Sequence, residues 1–120
     1  MLGDAAEAVR VLAPLSSRVP ADPEVWRYLG LSSLECGELS TAASAWAKLS
    51  ALRPLDPEGP TMLGMVLGRQ GDVPGAIRSF RQALSRDASH TPAWSNLGAR
   101  LVEQGDLPAC LLYTSPSPRD

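Results

Sequence analysis

The stretch GDVPGAIRSFRQAL, from Gly71 to Leu84, decides the fold, because the rest of the chain can be aligned to it. Its first glycine recurs at a fixed interval: Gly37 lies one interval before it, and Gly105 lies the same interval after it. A period of this length, about 34 residues, is typical of a solenoid built from pairs of helices. The other residues that recur at the same interval are Ala42 and Ala76; Trp46 and Phe80; Leu29, Leu63 and Leu97; and Gly30, Gly64 and Gly98.

Size and charge exclude several classes of protein. At 120 residues the chain is long enough for one domain, and its apolar fraction of 44% is near the globular average. The net charge of −2 gives no broad positive field for nucleic acid or an anionic membrane. No apolar run approaches the roughly 20 residues of a membrane-spanning helix, and the first residues lack the basic leader of a signal peptide. Cys36 and Cys110 have the spacing of neither a metal site nor a disulfide framework.

The first helix is predicted from Asp4 to about Ala13, with apolar residues at offsets of three and four. Asp4 is expected to cap this helix, and Pro14 is expected to end or kink it. In the repeat register it corresponds to the second helix of a partial repeat, residues 1–22, whose first helix is absent. The apolar face that the absent helix would cover is therefore expected to be open.

A complete helical hairpin is predicted for residues 23–56. The run Asp22-Pro23-Glu24 starts its first helix with a carboxylate cap, a proline at the first position and an acid near the positive helix end. Gly37 ends this helix near Cys36 by adopting a positive φ. The second helix is expected from Leu39 to about Leu52.

The next hairpin, residues 57–90, is predicted to open late. Pro60 would clash with the carbonyl group four residues earlier if the helix already ran from Pro57. The first helix is therefore expected to start near Gly59 or Pro60 and to reach Arg69 or Gln70. Its partner is expected from Val73 to Ser85.

The last repeat, residues 91–109, is predicted to be truncated. Its first helix is expected from Thr91 to Gln104, and Gly105 to Pro108 begin a second helix that the sequence does not complete. Residues 110–120, CLLYTSPSPRD, break the register and resemble the in-frame translation of a transposase-type sequencing adapter. The alternative is a proline-rich disordered end. In either case this tail is excluded from functional interpretation.

The recurring positions resemble the pattern of tetratricopeptide repeats over residues 1–109. That pattern has a bulky residue and Leu-Gly in the first helix, a turn glycine, and small and large apolar residues in the second helix. The resemblance implies an all-α fold, a right-handed α-solenoid of antiparallel helix-turn-helix hairpins. Small residues let helix backbones approach, and aromatic residues fill the spaces between them. The structural positions in this sequence are Trp26, Gly30, Ala42, Trp46, Gly64, Ala76, Phe80, Trp94 and Gly98.

The same resemblance implies that a ligand binds in the concave groove lined by the first helix of each repeat. The two-carboxylate clamp of the family is not assembled, because Leu31, Met62 and Pro92 occupy places where polar groups are needed. Asn96 is at most one rung of the asparagine ladder of sugar-transferring members. The residues expected to bind a peptide are Arg27, Leu31, Leu34, Met65, Arg69, Asn96 and Glu103, with Glu24, Glu35, Thr61, Ser95 and Ala99 as further lining positions.

No arrangement of residues predicts catalysis, a cofactor or a metal site. His90 is the only histidine, and no nucleophile motif places a partner for it, so it is interpreted as a solvated loop residue. Asp72 and Asp106 follow turn glycines and are expected to cap helices. The three tryptophans are interpreted as packing residues rather than as a stacking platform for bases.

The sequence therefore predicts a protein- or peptide-binding scaffold without catalysis of its own. An alternative is the docking arm of a larger enzyme, of the glycosyltransferase or sulfotransferase type, whose catalytic domain is missing. Neither nucleic-acid binding nor membrane insertion is expected. Self-association is expected through apolar faces left uncapped at the two ends of the array.

Overall fold

The computed structural model describes residues 2–18 and 21–105, and this part of the chain contains α-helices and no β-strand. The predicted all-α class is confirmed. The expectations for Asp106, Cys110 and residues 110–120 lie outside the described residues. Two compact units divide the chain, Met1–Pro54 and Leu55–Asp120. The helices are α1 (Leu2–Arg18), α2 (Pro23–Glu35) and α3 (Leu39–Leu52) in the first unit, and α4 (Glu58–Arg69), α5 (Val73–Arg86) and α6 (Thr91–Glu103) in the second.

In the first unit, α2 packs against both α1 and α3. Asp22 caps α2 as predicted, since its Oδ1 accepts a hydrogen bond of 3.0 Å from the backbone amide of Glu24. Gly37 makes the turn to α3 with a φ of 84°, a conformation that glycine adopts without a steric penalty. The core of this unit is a cluster of Val9, Leu29 and Ala45, against which Leu12, Ala13, Trp26 and Cys36 pack.

The prediction for α1 is wrong at both ends. The helix begins at Leu2, so Asp4 lies inside it, and it continues past Pro14 to Arg18. Pro14 is exposed, whereas Val9 before it and Ser16 after it are buried. The hydroxyl of Ser16 also donates a hydrogen bond of 2.7 Å to the carbonyl oxygen of Ala13. Burial on both sides of the proline therefore offsets the hydrogen bond that the proline removes.

In the second unit, α5 packs against α4 and α6. As predicted, α4 does not start with the aspartate-proline pair, and it begins at Glu58, one residue before the expected range. Pro60 cannot donate to the carbonyl oxygen of Asp56, and that oxygen instead accepts a hydrogen bond of 3.1 Å from Nη1 of Arg86. The carboxylate of Asp56 accepts a second bond, of 2.9 Å, from the amide of Glu58. These contacts satisfy backbone polar groups that have no partner within the helix because α4 starts late.

The core of the second unit lies between the three helices. A buried cluster of Ala76, Ile77, Phe80, Leu97 and Leu101 forms it, with Met65, Leu67, Val73 and Leu84 packed around the cluster. The predicted cap of α5 is confirmed, because Oδ1 of Asp72 accepts a hydrogen bond of 3.0 Å from the amide of Gly75. This local cap fixes where α5 begins and hence which of its residues face the core.

The loop between α5 and α6 is held by hydrogen bonds. The hydroxyl and the amide of Ser89 donate to the carboxylate of Asp87 at 2.7 and 3.0 Å. These two bonds lower the pKa of Asp87. Nε1 of Trp94 donates to the carbonyl oxygen of Ala88 at 2.6 Å, which ties α6 to this loop. His90, expected in a solvated loop, directly precedes α6 and is half-buried.

Replacing Ser33 by alanine is expected to raise the free energy of unfolding by about 1 kcal/mol. Ser33 is fully buried, and its hydroxyl oxygen has no hydrogen-bond partner among the described residues. Alanine removes that unsatisfied group with little loss of volume. Urea denaturation measures the change, and Ser32→Ala, at a half-buried neighbour, controls for the helix propensity of alanine. Equal gains in the two variants would contradict the explanation.

Candidate functional site

One face of α2 is left uncovered in the first unit. Val25, Leu29 and Ser33 recur every four residues and are buried, so they mark the packed side of the helix. Tyr28 and Leu31 lie on the opposite side and are 51% and 37% exposed. Two acidic residues, Glu24 and Glu35, share this exposed face by their spacing. The α2 face, defined by these four residues, therefore presents apolar groups between charges.

Neighbouring charges hold part of the α2 face in place. The guanidinium carbon of Arg27 lies 5.9 Å from the centroid of the Tyr28 ring, within cation–π range. Glu24 forms an ion pair of 2.7 Å with Arg53, just beyond α3. Of the predicted binding residues, Leu31 is thus exposed, Arg27 lies beside Tyr28, and Leu34 is half-buried at the edge. The first unit brings these three together on one helix.

The equivalent positions of α4 are less exposed. Met65 lies one period after Leu31 but is half-buried against the core, whereas Arg69, one period after Glu35, is exposed. Thr61 was expected to line the groove, and that expectation is wrong. It is buried, and its Oγ1 donates a hydrogen bond of 2.7 Å to the carbonyl oxygen of Pro57. Only the end of α4 therefore offers an exposed charge.

Two predicted binding residues of α6 are engaged with their own helix. Nδ2 of Asn96 donates a hydrogen bond of 2.7 Å to the carbonyl oxygen of Pro92, one turn earlier. Glu103 forms an ion pair of 2.6 Å with Nη2 of Arg100. The amide of Asn96 is therefore partly satisfied before any ligand arrives, and Glu103 is bound to a cation.

Arg100 is a residue that sequence reasoning missed. A Cβ built on Gly68 of α4 would lie 2.7 Å from Nη1 of Arg100, so the guanidinium rests on the backbone of α4. Its Nε is buried and has no hydrogen-bond partner among the described residues. Two signals were available in the sequence. One is a glycine in the last turn of α4, which like α2 and α6 is the first helix of its repeat and is here called a first-type helix. The other is an acid three residues after the arginine.

The described residues contain no group of histidine, cysteine, aspartate and glutamate side chains that could hold a metal ion. None of their helices is long and apolar enough to cross a membrane. Cys36 is a free, half-buried thiol whose Sγ lies 3.6 Å from the carbonyl oxygen of Ser33.

Helical hairpins with a glycine turn, repeated at a fixed interval, define the α-solenoid class of all-α proteins. The sequence pattern of the tetratricopeptide repeat matches residues 2–60 and 61–109. The chain belongs to the tetratricopeptide repeat family. No curated protein matches the sequence.

Solved structures share the fold at low sequence identity. A crystal structure of MamA superposes with a TM-score of 0.84 at 19% identity, over 91% of this chain and 64% of the MamA chain. MamA from Desulfovibrio magneticus RS-1 gives 0.82 at 20% identity, over 93% of this chain and 63% of its own. YrrB, described as a TPR protein with an unusual peptide-binding site, gives 0.69 at 20% identity, over 77% and 47%. The chain therefore spans less than two thirds of these proteins, and the likeness shows the fold.

Proposed function

We propose that the chain is a non-catalytic scaffold that binds protein or peptide segments on the exposed faces of its first-type helices, α2 in the first unit and α4 and α6 in the second. The observation that carries this proposal is the α2 face, where Tyr28 and Leu31 are 51% and 37% exposed although the opposite side of the helix is fully packed. Tyrosine is enriched among the residues that dominate binding energy in interfaces. Binding surfaces usually have an apolar centre and a polar rim, and the α2 face has this composition, with Tyr28 and Leu31 lying between two glutamates.

Family membership supports the same assignment. Solenoids present their exposed helices as extended binding surfaces, because packing between hairpins consumes the other faces. YrrB, which shares the fold, is described as having a peptide-binding site. A peptide ligand is therefore the first class of partner to examine for this chain.

Leu31→Glu is expected to weaken peptide binding about tenfold, because it places a charge where an apolar anchor would be desolvated. Peptides are first selected against the wild-type chain from a random display library. Their affinities for the variants are then measured by fluorescence anisotropy. Leu55→Glu is the matched control, because Leu55 is also an exposed leucine, at 86%, but lies outside the helices.

The two variants separate the site from a general effect of added charge. Leu55→Glu is expected to change affinity less than about twofold, as is usual for substitutions outside a binding surface. Circular dichroism should show equal helix content in both variants, since both leucines are exposed. A failure to select any peptide, or equal losses in the two variants, would overturn the proposal.

A further inference from the structure

The last turns of α4 and α6 carry two arginines, whereas the two charged residues of the α2 face are both glutamates. The arginine site, as we define it, consists of Gly68 and Arg69 on α4 and of Arg100 and Glu103 on α6. Both helices belong to the second unit and are in contact. These last turns carry two arginines and one glutamate, in a chain whose net charge is −2. The site is therefore locally positive.

The guanidinium of Arg100 is fixed before any ligand binds. Nη1 rests over Gly68, Nη2 is bonded to Glu103 at 2.6 Å, and Nε is buried without a partner among the described residues. The side chain as a whole is 25% exposed, so its mobility is restricted while part of it still meets solvent. A fixed guanidinium loses little side-chain entropy when it binds an anion.

Arg69 adds a second positive charge beside this group. It directly follows Gly68 and is exposed. Its register equivalents on the other first-type helices, Glu35 and Glu103, are both acidic. The reversal of charge at this position distinguishes the end of α4 from the ends of α2 and α6.

We propose that the arginine site recognises a carboxylate side chain of the bound segment, so that the preferred ligand is an acidic peptide. The proposal rests on the proposed function and adds the class of partner to it. Arginine binds carboxylates through paired N–H donors, which gives both geometry and strength. Arg100 supplies the fixed donor, and Arg69 supplies the field that attracts the ligand.

Without a ligand, the carboxylate of Glu103 occupies the position on Arg100 that the ligand carboxylate would take. Its carboxylate is bonded to Nη2 of Arg100, and its side chain is 45% exposed. Exposed ion pairs of this kind contribute little to stability, so an incoming carboxylate displaces Glu103 at small cost. Removing its charge should therefore raise the affinity for an acidic peptide, whereas removing the charge of Arg100 should lower it.

A peptide array tests the site directly. It pairs acidic peptides with the same peptides in which Asp and Glu are replaced by Asn and Gln, and it is probed with the whole chain at two salt concentrations. The wild type is expected to prefer the acidic member of each pair, more strongly at low salt. Arg100→Gln should reduce that preference about tenfold, and Glu103→Gln should increase it about threefold, in line with one charge-assisted hydrogen bond.

Two further variants separate position from charge. Gly68→Ala keeps every charge, but its Cβ would lie 2.7 Å from Nη1 and so displaces the guanidinium. It should weaken the acidic preference without lowering the melting temperature, because alanine favours a helix over glycine. Arg78→Gln, at an exposed arginine of α5, removes the same charge from the same unit and should leave the preference unchanged.

The outcomes distinguish this inference from the function on which it rests. Peptide binding without an acidic preference, or equal effects of Arg100→Gln and Arg78→Gln, overturns the arginine site and leaves the scaffold function standing. A preference that is lost in Arg100→Gln and weakened in Gly68→Ala supports the site. No binding to any peptide overturns both.

Discussion

Phe80→Ala is expected to lower the free energy of unfolding by about 3–5 kcal/mol, the usual cost of deleting a buried aromatic side chain. Phe80 is 1% exposed and belongs to the cluster with Ala76, Ile77 and Leu97. Its ring faces Gly64, which has no side chain that could move into the vacated space. The cavity therefore stays open, and the loss should lie well above that of an average substitution.

Urea denaturation of the whole chain, followed by circular dichroism, measures this loss. Leu55→Ala is the control, because Leu55 is 86% exposed and its removal should change the free energy by less than about 0.5 kcal/mol. A loss below about 1 kcal/mol for Phe80→Ala would mean that the cluster does not hold the second unit together.

The packing of the two hairpins could be predicted from the sequence because it depends on contacts within one repeat. In each hairpin the aromatic residue follows the helix glycine at the same spacing, as Trp46 follows Gly30 and Phe80 follows Gly64. In both cases a Cβ on the glycine would lie 2.5–2.9 Å from ring atoms of that aromatic residue. The turn glycines fix the hairpin, so the spacing alone determines which side chains meet.

The extent of α1 could not be predicted from local rules. Pro14 is a strong helix-ending signal by itself, yet α1 continues beyond it to Arg18. The decisive fact is the burial of Val9 and Ser16 on either side of the proline. Burial depends on which helix lies opposite, and the sequence of α1 does not contain that information.

The candidate site was predicted only in part, because short polar side chains made local hydrogen bonds. Thr61 and Asn96 each donate to the carbonyl oxygen four residues earlier, in the first turn of their own helices. Such bonds compete with ligand contacts and depend on the side-chain rotamer, which the repeat pattern does not specify. Leu31 has no polar group in its side chain and Arg69 lies at the end of its helix, and both are exposed.

Arg100 was missed for a different reason. The repeat pattern gives its position no role, and the equivalent residue one period earlier is Val66, which is fully buried in the structure. An arginine fits there because Gly68, on a neighbouring first-type helix, leaves room for its guanidinium. The contact joins two repeats, and a pattern that describes one repeat cannot reveal it.

Gly64→Ala is expected to lower the free energy of unfolding by about 2 kcal/mol, although alanine favours a helix by about 1 kcal/mol over glycine. The new Cβ would lie 2.6–2.8 Å from three ring atoms of Phe80. Phe80 is buried in the core of the second unit and has no free space into which to move, so the helices must separate. Urea denaturation of the variant measures the cost.

Gly68→Ala is the matched control, since it makes the same change one turn later on α4. There the Cβ meets the end of the Arg100 side chain, whose half-exposed ion pair with Glu103 contributes little to stability, so the free energy should stay the same or rise by up to about 1 kcal/mol. In the Phe80→Ala background the sign for Gly64→Ala should also reverse, because its methyl group then faces the cavity. A cost that persists without Phe80 would show that the contact between Gly64 and Phe80 is not its cause.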